Sequence, residues 1–211
     1  MKRILSSIIL IPVILYLLIT GSYLFKLFVI TCLFITIYEW HMISKNKIYS
    51  LPGYLFILIS FYTFLKLRED FDLILVLIII LICISTDLGG YFFGKFFKGP
   101  KITKISPNKT YTGVFGSFLL PIVFLYIFFN LDFKLVNKNL FNSDLFVFIL
   151  IISSVSQLGD IFISYFKRLV NIKDTGKIIP GHGGILDRID GMLFVFPISY
   201  FLVKNNFFQI I

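Results

Sequence analysis

Long apolar runs alternate with short polar stretches from one end of this chain to the other. A helix needs about 20 mostly apolar residues to cross a hydrocarbon core about 30 Å thick. Seven runs approach that length: residues 4–20, 23–43, 52–67, 71–94, 111–130, 144–168 and 191–204, of which the third and seventh are short. Helix is the assignment physics allows. A lone strand in lipid leaves its backbone groups unpaired, and the alternating pattern of a membrane barrel is absent. The pattern therefore predicts an all-α, polytopic transmembrane helix bundle of about seven spans.

The polar stretches give the bundle a direction. If the N-terminus lies in the cytosol, the inner segments are 1–3, 44–51, 95–110 and 167–190. These hold 14 of the chain's 20 Lys and Arg residues. Positive residues concentrate in cytosolic loops, so the count predicts N-in and C-out. The stretch 131–143, with Lys134, Lys138, Asn137, Asn139 and Asn142, is predicted to be a solvated outer connection.

Composition removes the competing classes. Of 211 residues 58% are hydrophobic and only 15% charged, against about 25% in a soluble domain. The 27 Phe residues exceed what a soluble core of this length buries. The net charge of +9 does not point to nucleic acid, which requires a soluble basic face. Cys32 and Cys83 lie in apolar runs without a CxxC pattern, which predicts buried reduced thiols. Met1-Lys2-Arg3 opens like a signal peptide, but no small-residue cleavage site follows, so the first run is read as an uncleaved helix.

Chemistry concentrates where polarity enters the apolar runs. In the sixth run Ser153, Gln157, Asp160, Ser164 and Lys167 recur every three or four residues and so share a helix face. At about 1.5 Å per residue Asp160 lies roughly 24 Å along that helix, near its inner end. Ionisable groups at membrane depth are costly and mark functional cavities; helix–helix bonding by the Ser and Gln residues is the bland alternative. Downstream, Asp187 and Asp190 are three apart and share a face at the head of a helix. Three carboxylates converging with Asp160 need a cation or proton between them, and hard oxygen donors that leave room for water and phosphate suit Mg²⁺. Ion pairing with Lys167 and Arg188 is the alternative. Pro180-Gly181-His182-Gly183-Gly184 offers backbone N–H groups to a phosphate, with His182 open to several roles. A second cluster begins at Asp87-Leu-Gly89-Gly90-Tyr91 and runs through Ser106, Lys109 and Thr110. Its lysines suit a phosphate or an anionic lipid surface equally well. These residues together predict phosphoryl or nucleotidyl transfer to a lipid.

The pattern Ser164-x-x-Lys167-Arg168-x4-Lys173-Asp174-x-Gly176-x3-Pro180-Gly181-His182-Gly183-Gly184-x-x-Asp187-Arg188-x-Asp190 resembles the signature of phosphatidate cytidylyltransferases, the CDP-diacylglycerol synthases. Gly159-Asp160, Asp87-x-Gly89-x-Tyr91-x-x-Gly94-Lys95 and Ser106-Pro107-x-Lys109-Thr110-x-x-Gly113 are similar to it as well. The resemblance runs from about residue 85 to 200, and the first 80 residues match only in being hydrophobic. It implies two regions: N-terminal transmembrane helices over 1–80, and a catalytic transmembrane region with cytosolic loops over 81–211. It implies CTP and phosphatidic acid as substrates, with CDP-diacylglycerol and pyrophosphate as products. Asp160, Asp187 and Asp190 would hold Mg²⁺, with a second cation such as K⁺. Lys167, Arg168, Lys173 and Arg188 would neutralise phosphates, and Ser106, Lys109 and Thr110 would hold nucleotide or headgroup. His182 joins the catalytic set, and Asp174 and Asp87 the substrate-binding set. Residence in membrane lipid, in a bacterial inner membrane with the site facing the cytosol, follows from the same likeness. So does an assembly that admits a homodimer, and no nucleic acid partner is expected.

Other readings remain distinguishable. A CTP-dependent polyprenol kinase would release CDP in place of pyrophosphate. Asp187-x-x-Asp190-Gly191 copies the start of the CDP-alcohol phosphotransferase motif, but the rest of that motif is missing. A transporter would also carry intramembrane carboxylates, yet these cluster at one face and show no paired inverted halves.

Overall fold

A computed structural model describes residues 12–102, 109–130, 143–176, 178 and 183–208. The apolar runs fold as helices. Residues 12–20 are helical (α1), followed by α2 (Tyr23–Ser44), α3 (Ser50–Asp70), α4 (Leu73–Phe97), α5 (Tyr111–Asn130), α6 (Ser143–Leu169) and α7 (Leu186–Lys204). No strand occurs among the described residues. An isolated antiparallel bridge between Lys101 and Thr110 closes the neck of the α4–α5 loop. Five of these helices, α2 to α6, are long and apolar enough to cross a membrane. The predicted outer connection at 131–143 falls almost wholly outside the described residues.

Two boundaries differ from the apolar pattern for identifiable reasons. The third helix is not short: α3 continues through Lys66, Arg68 and Glu69, whose charges find partners beyond the apolar stretch. Glu69 pairs with Lys26 of α2 at 2.6 Å and with Lys66 at 3.0 Å, and Arg68 donates to the Leu18 carbonyl at 2.9 Å, capping α1. The seventh begins at Leu186, ahead of its apolar run, so Asp187, Arg188 and Asp190 stand on its first turn.

Lipid tails give helices no hydrophobic reason to associate, so close packing and interhelical hydrogen bonds must hold them together. The α4–α5 crossing uses close approach. A Cβ on Gly116 would lie 2.6 Å from the Gly89 carbonyl oxygen, and one on Gly89 would run into the Gly116 backbone. The α3–α7 contact uses a hydrogen bond. Pro197 has no N–H, which leaves the Leu193 carbonyl one turn earlier without its helical donor. Ser60 Oγ lies 2.7 Å from that oxygen and 2.8 Å from the Phe56 carbonyl, and its one proton serves both.

The helix ends sort into two groups. At one end the start of α7 meets the last turns of α2 and α6, while the α5 entrance and the α4 carboxyl half adjoin them. At the other, Lys26 and Asp70 join α2, α3 and α7 through the Glu69 pair and the Tyr200–Asp70 hydrogen bond of 3.0 Å.

Candidate active site

A cavity of about 300 Å³ opens between α4, α5, α6 and α7, and its walls are unusually polar for a bundle this apolar. Asp87 and Tyr91 line it from α4, Lys109 and Thr110 from the approach to α5, Gln157 and Asp160 from α6, Asp187 and Asp190 from α7. The polar stripe predicted along α6 therefore faces protein and cavity. Its innermost member, Ser153, is buried and bonded to Thr86 of α4 at 3.0 Å.

Asp160 is the centre of one half. Its Oδ2 lies 2.6 Å from Lys109 Nζ, and Ser164 Oγ donates to its Oδ1 at 3.2 Å. Lys109 also donates to the Gln157 carbonyl at 3.2 Å, so it spans the α5 entrance and α6. Thr110 caps α5: its Oγ1 accepts the Gly113 N–H at 3.1 Å, an N-cap geometry that fixes Lys109 at the cavity mouth.

Asp187 and Asp190 form the other half, and they differ. Asp190 is buried, with Oδ1 accepting the Gly191 N–H at 2.9 Å and Oδ2 3.8 Å from Lys167 Nζ. Its carboxyl neighbours that of Asp160. Asp187 is turned toward the loop. Its Oδ1 takes the Lys167 ammonium at 3.0 Å, and its Oδ2 takes the backbone N–H groups of Thr175 at 2.8 Å and Gly184 at 3.0 Å. Gly183, at φ +88°, supplies the left-handed turn that delivers the Gly184 N–H. Lys167 is itself buried and bridges the two α7 carboxylates.

The remaining predicted residues divide. Arg188 is exposed at the same mouth, within electrostatic reach of Asp87. Lys173 and Asp174 are exposed on the α6–α7 loop. Arg168 is not among the residues lining the cavity and donates to the Ile172 carbonyl at 3.0 Å, closing the end of α6. Ser106 and His182 lie outside the described residues.

One further residue at this end was not singled out by the sequence patterns. Glu39, inside the apolar run near the carboxyl end of α2, is 1% exposed and reaches the α6–α7 loop. It accepts hydrogen bonds from Thr175 Oγ1 at 3.0 Å and from the N–H groups of Ile185 at 3.0 Å and Leu186 at 2.7 Å. The signal was present, since a lone acid in a membrane span marks a function or a specific partner.

The donor set admits a divalent cation. Among the described residues no three His, Cys, Asp or Glu side chains enclose an ion by themselves. Mg²⁺ does not need such a cage, because it keeps waters and is held by one or two carboxylates together with substrate phosphates. Asp160 and Asp190, adjacent and facing one cavity, are such a pair. The ammonium groups of Lys109 and Lys167 sit against them where positive charge is required.

The chain matches the cytidylyltransferase family over residues 1–69 and 54–205. It is 37% identical to a phosphatidate cytidylyltransferase of Rickettsia felis over 207 residues, covering 95% of this chain and 90% of the relative. The corresponding protein of Rickettsia conorii is 37% identical over 209 residues, covering 96% and 90%. That of Bacillus subtilis is 38% identical over 152 residues, covering 71% of this chain and 55% of the relative.

Proposed function

Since this chain belongs to the cytidylyltransferase family, we propose that it is an integral membrane phosphatidate cytidylyltransferase working in phospholipid biosynthesis. It converts CTP and phosphatidate to CDP-diacylglycerol and pyrophosphate. The observation that carries the site assignment is one polar cavity where Asp160 and Asp190 adjoin each other, flanked by Lys109 and Lys167.

A phosphatidate oxygen forms the new P–O bond at the α-phosphorus of CTP as the bond to the β-phosphate oxygen breaks. Pyrophosphate leaves with that electron pair. The attacking phosphate monoester already carries negative charge, so the protein's task is positioning and charge neutralisation. Asp160 and Asp190 would hold Mg²⁺, which when bound offsets charge on the triphosphate. Lys109, on the cavity wall beside Asp160, is placed to contact a phosphate from the α5 side. Lys167 sets the orientation of Asp190 and Asp187 and adds positive field from below. Asp187, saturated by two N–H groups and an ammonium, acts as the anchor that ties the α6–α7 loop to the first turn of α7. Arg188, exposed at the mouth, and Lys173, exposed on the α6–α7 loop, are cations that incoming phosphates would meet.

The cavity opens at the end of the bundle where the Lys-rich segments gather. We place that end in the cytosol of a bacterial cell, where CTP is found, with the chain in the cytoplasmic membrane.

The test is stoichiometry. Purified protein in mixed micelles, given CTP, phosphatidate and Mg²⁺, should release pyrophosphate and CDP-diacylglycerol in a 1:1 ratio. CDP with a phosphorylated lipid would overturn the assignment.

A further inference from the structure

The helix that carries Asp187 and Asp190 lacks a cap of its own. Its N-cap residue is Ile185, which has no side-chain acceptor. The first N–H groups of any helix need partners, and a helix start buried without them is unstable. Here the acceptor arrives from α2: Glu39 Oε1 takes the Ile185 N–H and Oε2 takes the Leu186 N–H, 146 and 147 residues away in sequence. Negative side-chain oxygens suit this end of the helix dipole. The same side chain also takes the Thr175 hydroxyl, on the far limb of the loop.

Thr175 thereby becomes a shared joint. Its hydroxyl goes to Glu39, and its N–H goes to Asp187 Oδ2 at 2.8 Å. Two glycines make room for the arrangement. A Cβ on Gly176 would stand 2.8 Å from Glu39 Oε1, and one on Gly184 would stand 2.5 Å from both oxygens. The surroundings are as tightly built. Trp40, adjacent to Glu39, is 3% exposed and packs edge-on against Phe166 of α6, with ring centroids 5.2 Å apart. An acidic side chain is rarely buried to this degree unless it is fully bonded.

We infer that Glu39 is a positioning residue for the transfer reaction. It clamps both limbs of the α6–α7 loop and sets the depth and rotation of the first turn of α7, so that Asp190 sits beside Asp160 on the cavity wall. The inference rests on the reading of the site given above. It assigns a role in the chemistry to α2, which lies in the N-terminal region.

Glu39→Gln is the sharpest probe, because it keeps size and shape. An amide presents one acceptor and one NH₂ group. Whichever way it lies, the NH₂ group faces the N–H of Ile185 or of Leu186, and one of those donors loses its partner. The expected outcome is turnover slowed by about 30-fold or more at saturating substrates, with KM for CTP and for phosphatidate within threefold of wild type. Backbone hydrogen exchange should speed up in residues 172–190 and stay unchanged in α4 and α5. Thr175→Val removes one arm of the clamp without touching the helix start. Its turnover should be slower by about 3- to 10-fold, and combined with Glu39→Gln it should add little to the loss. Turnover within twofold of wild type in Glu39→Gln would overturn the inference. So would faster exchange spread through the whole chain, or losses that multiply in the double variant. The exchange measurement needs no turnover, so it separates failure of this inference from failure of the assigned reaction. If Glu39→Gln does not accumulate in membranes, Thr175→Val decides: wild-type turnover and exchange in that variant sink the clamp.

Discussion

Lys167 is the residue on which the α7 half of the site depends. It is buried beside two carboxylates, at 3.0 Å from Asp187 and 3.8 Å from Asp190. Lys109 makes a shorter contact, 2.6 Å to Asp160, but its side chain is 23% exposed and water shares the work. The difference predicts opposite balances of stability and turnover. Removing one member of a buried, bonded pair leaves the other charge uncompensated, at a cost of about 3–5 kcal/mol. Lys167→Met should therefore lower the thermal midpoint in detergent strongly, whereas Lys109→Met should leave it close to wild type and lose mainly turnover. Equal midpoints for the two variants would contradict the account. At this scale the sequence was informative about which residues gather and less so about what each does. The 3- and 4-residue steps along α6 identified its inward face correctly. The spacing of Asp187 and Asp190 could not show that Asp187, which lines the cavity with Asp190, is also bonded to loop amides, because that depends on the backbone N–H groups of Thr175 and Gly184. Arg168 looked equivalent to Lys167 in the motif. One residue step rotates a helical side chain by about 100°, and this carries Arg168 off the cavity face.

Among the elements, α7 departs furthest from a simple span. It begins with three charged residues, takes its cap from α2, and carries Pro197 in its interior. The carbonyl freed by Pro197 is satisfied by Ser60 of α3. Ser60→Ala should destabilise the bundle by about 1 kcal/mol, within the range measured for hydrogen bonds between membrane helices. Pro197→Ala restores the N–H at that position, so in its background Ser60→Ala should cost less. A thermal or denaturant double-mutant cycle checks this, and strict additivity would rule out the shared carbonyl. The apolar runs made every helix legible because length and hydropathy are local properties. The end of α3 and the start of α7 were not legible. Both extend into charged residues whose partners, Lys26 for Glu69 and Lys167 for Asp187, lie on other helices, and the backbone at the head of α7 is bonded by Glu39 of α2.

For the molecule as a whole, the charge distribution and the cavity agree on one active end. Lys26, Lys66 and Arg68 at the opposite end are engaged with Glu69 or with the α1 carboxyl end. Among the described residues, the lysines of the connections after α2, α4 and α6 lie at the cavity end. Single cysteines at Lys47 or Lys173 should then react with an impermeant maleimide only after permeabilisation, whereas one at Lys204 should react in intact spheroplasts. The reverse pattern would invert the orientation. On the proposed function, transfer of the α-phosphorus of CTP to phosphatidate takes place in the cavity that Asp160 and Asp190 share. Its most direct test gives purified protein and its Asp160→Asn variant CTP labelled at either the α- or the γ-phosphate, with phosphatidate and Mg²⁺. Label should enter lipid from the α-position only, and the variant should be folded yet slower by about 10²–10³. Lipid labelled from the γ-position, or wild-type transfer by Asp160→Asn, would contradict the account.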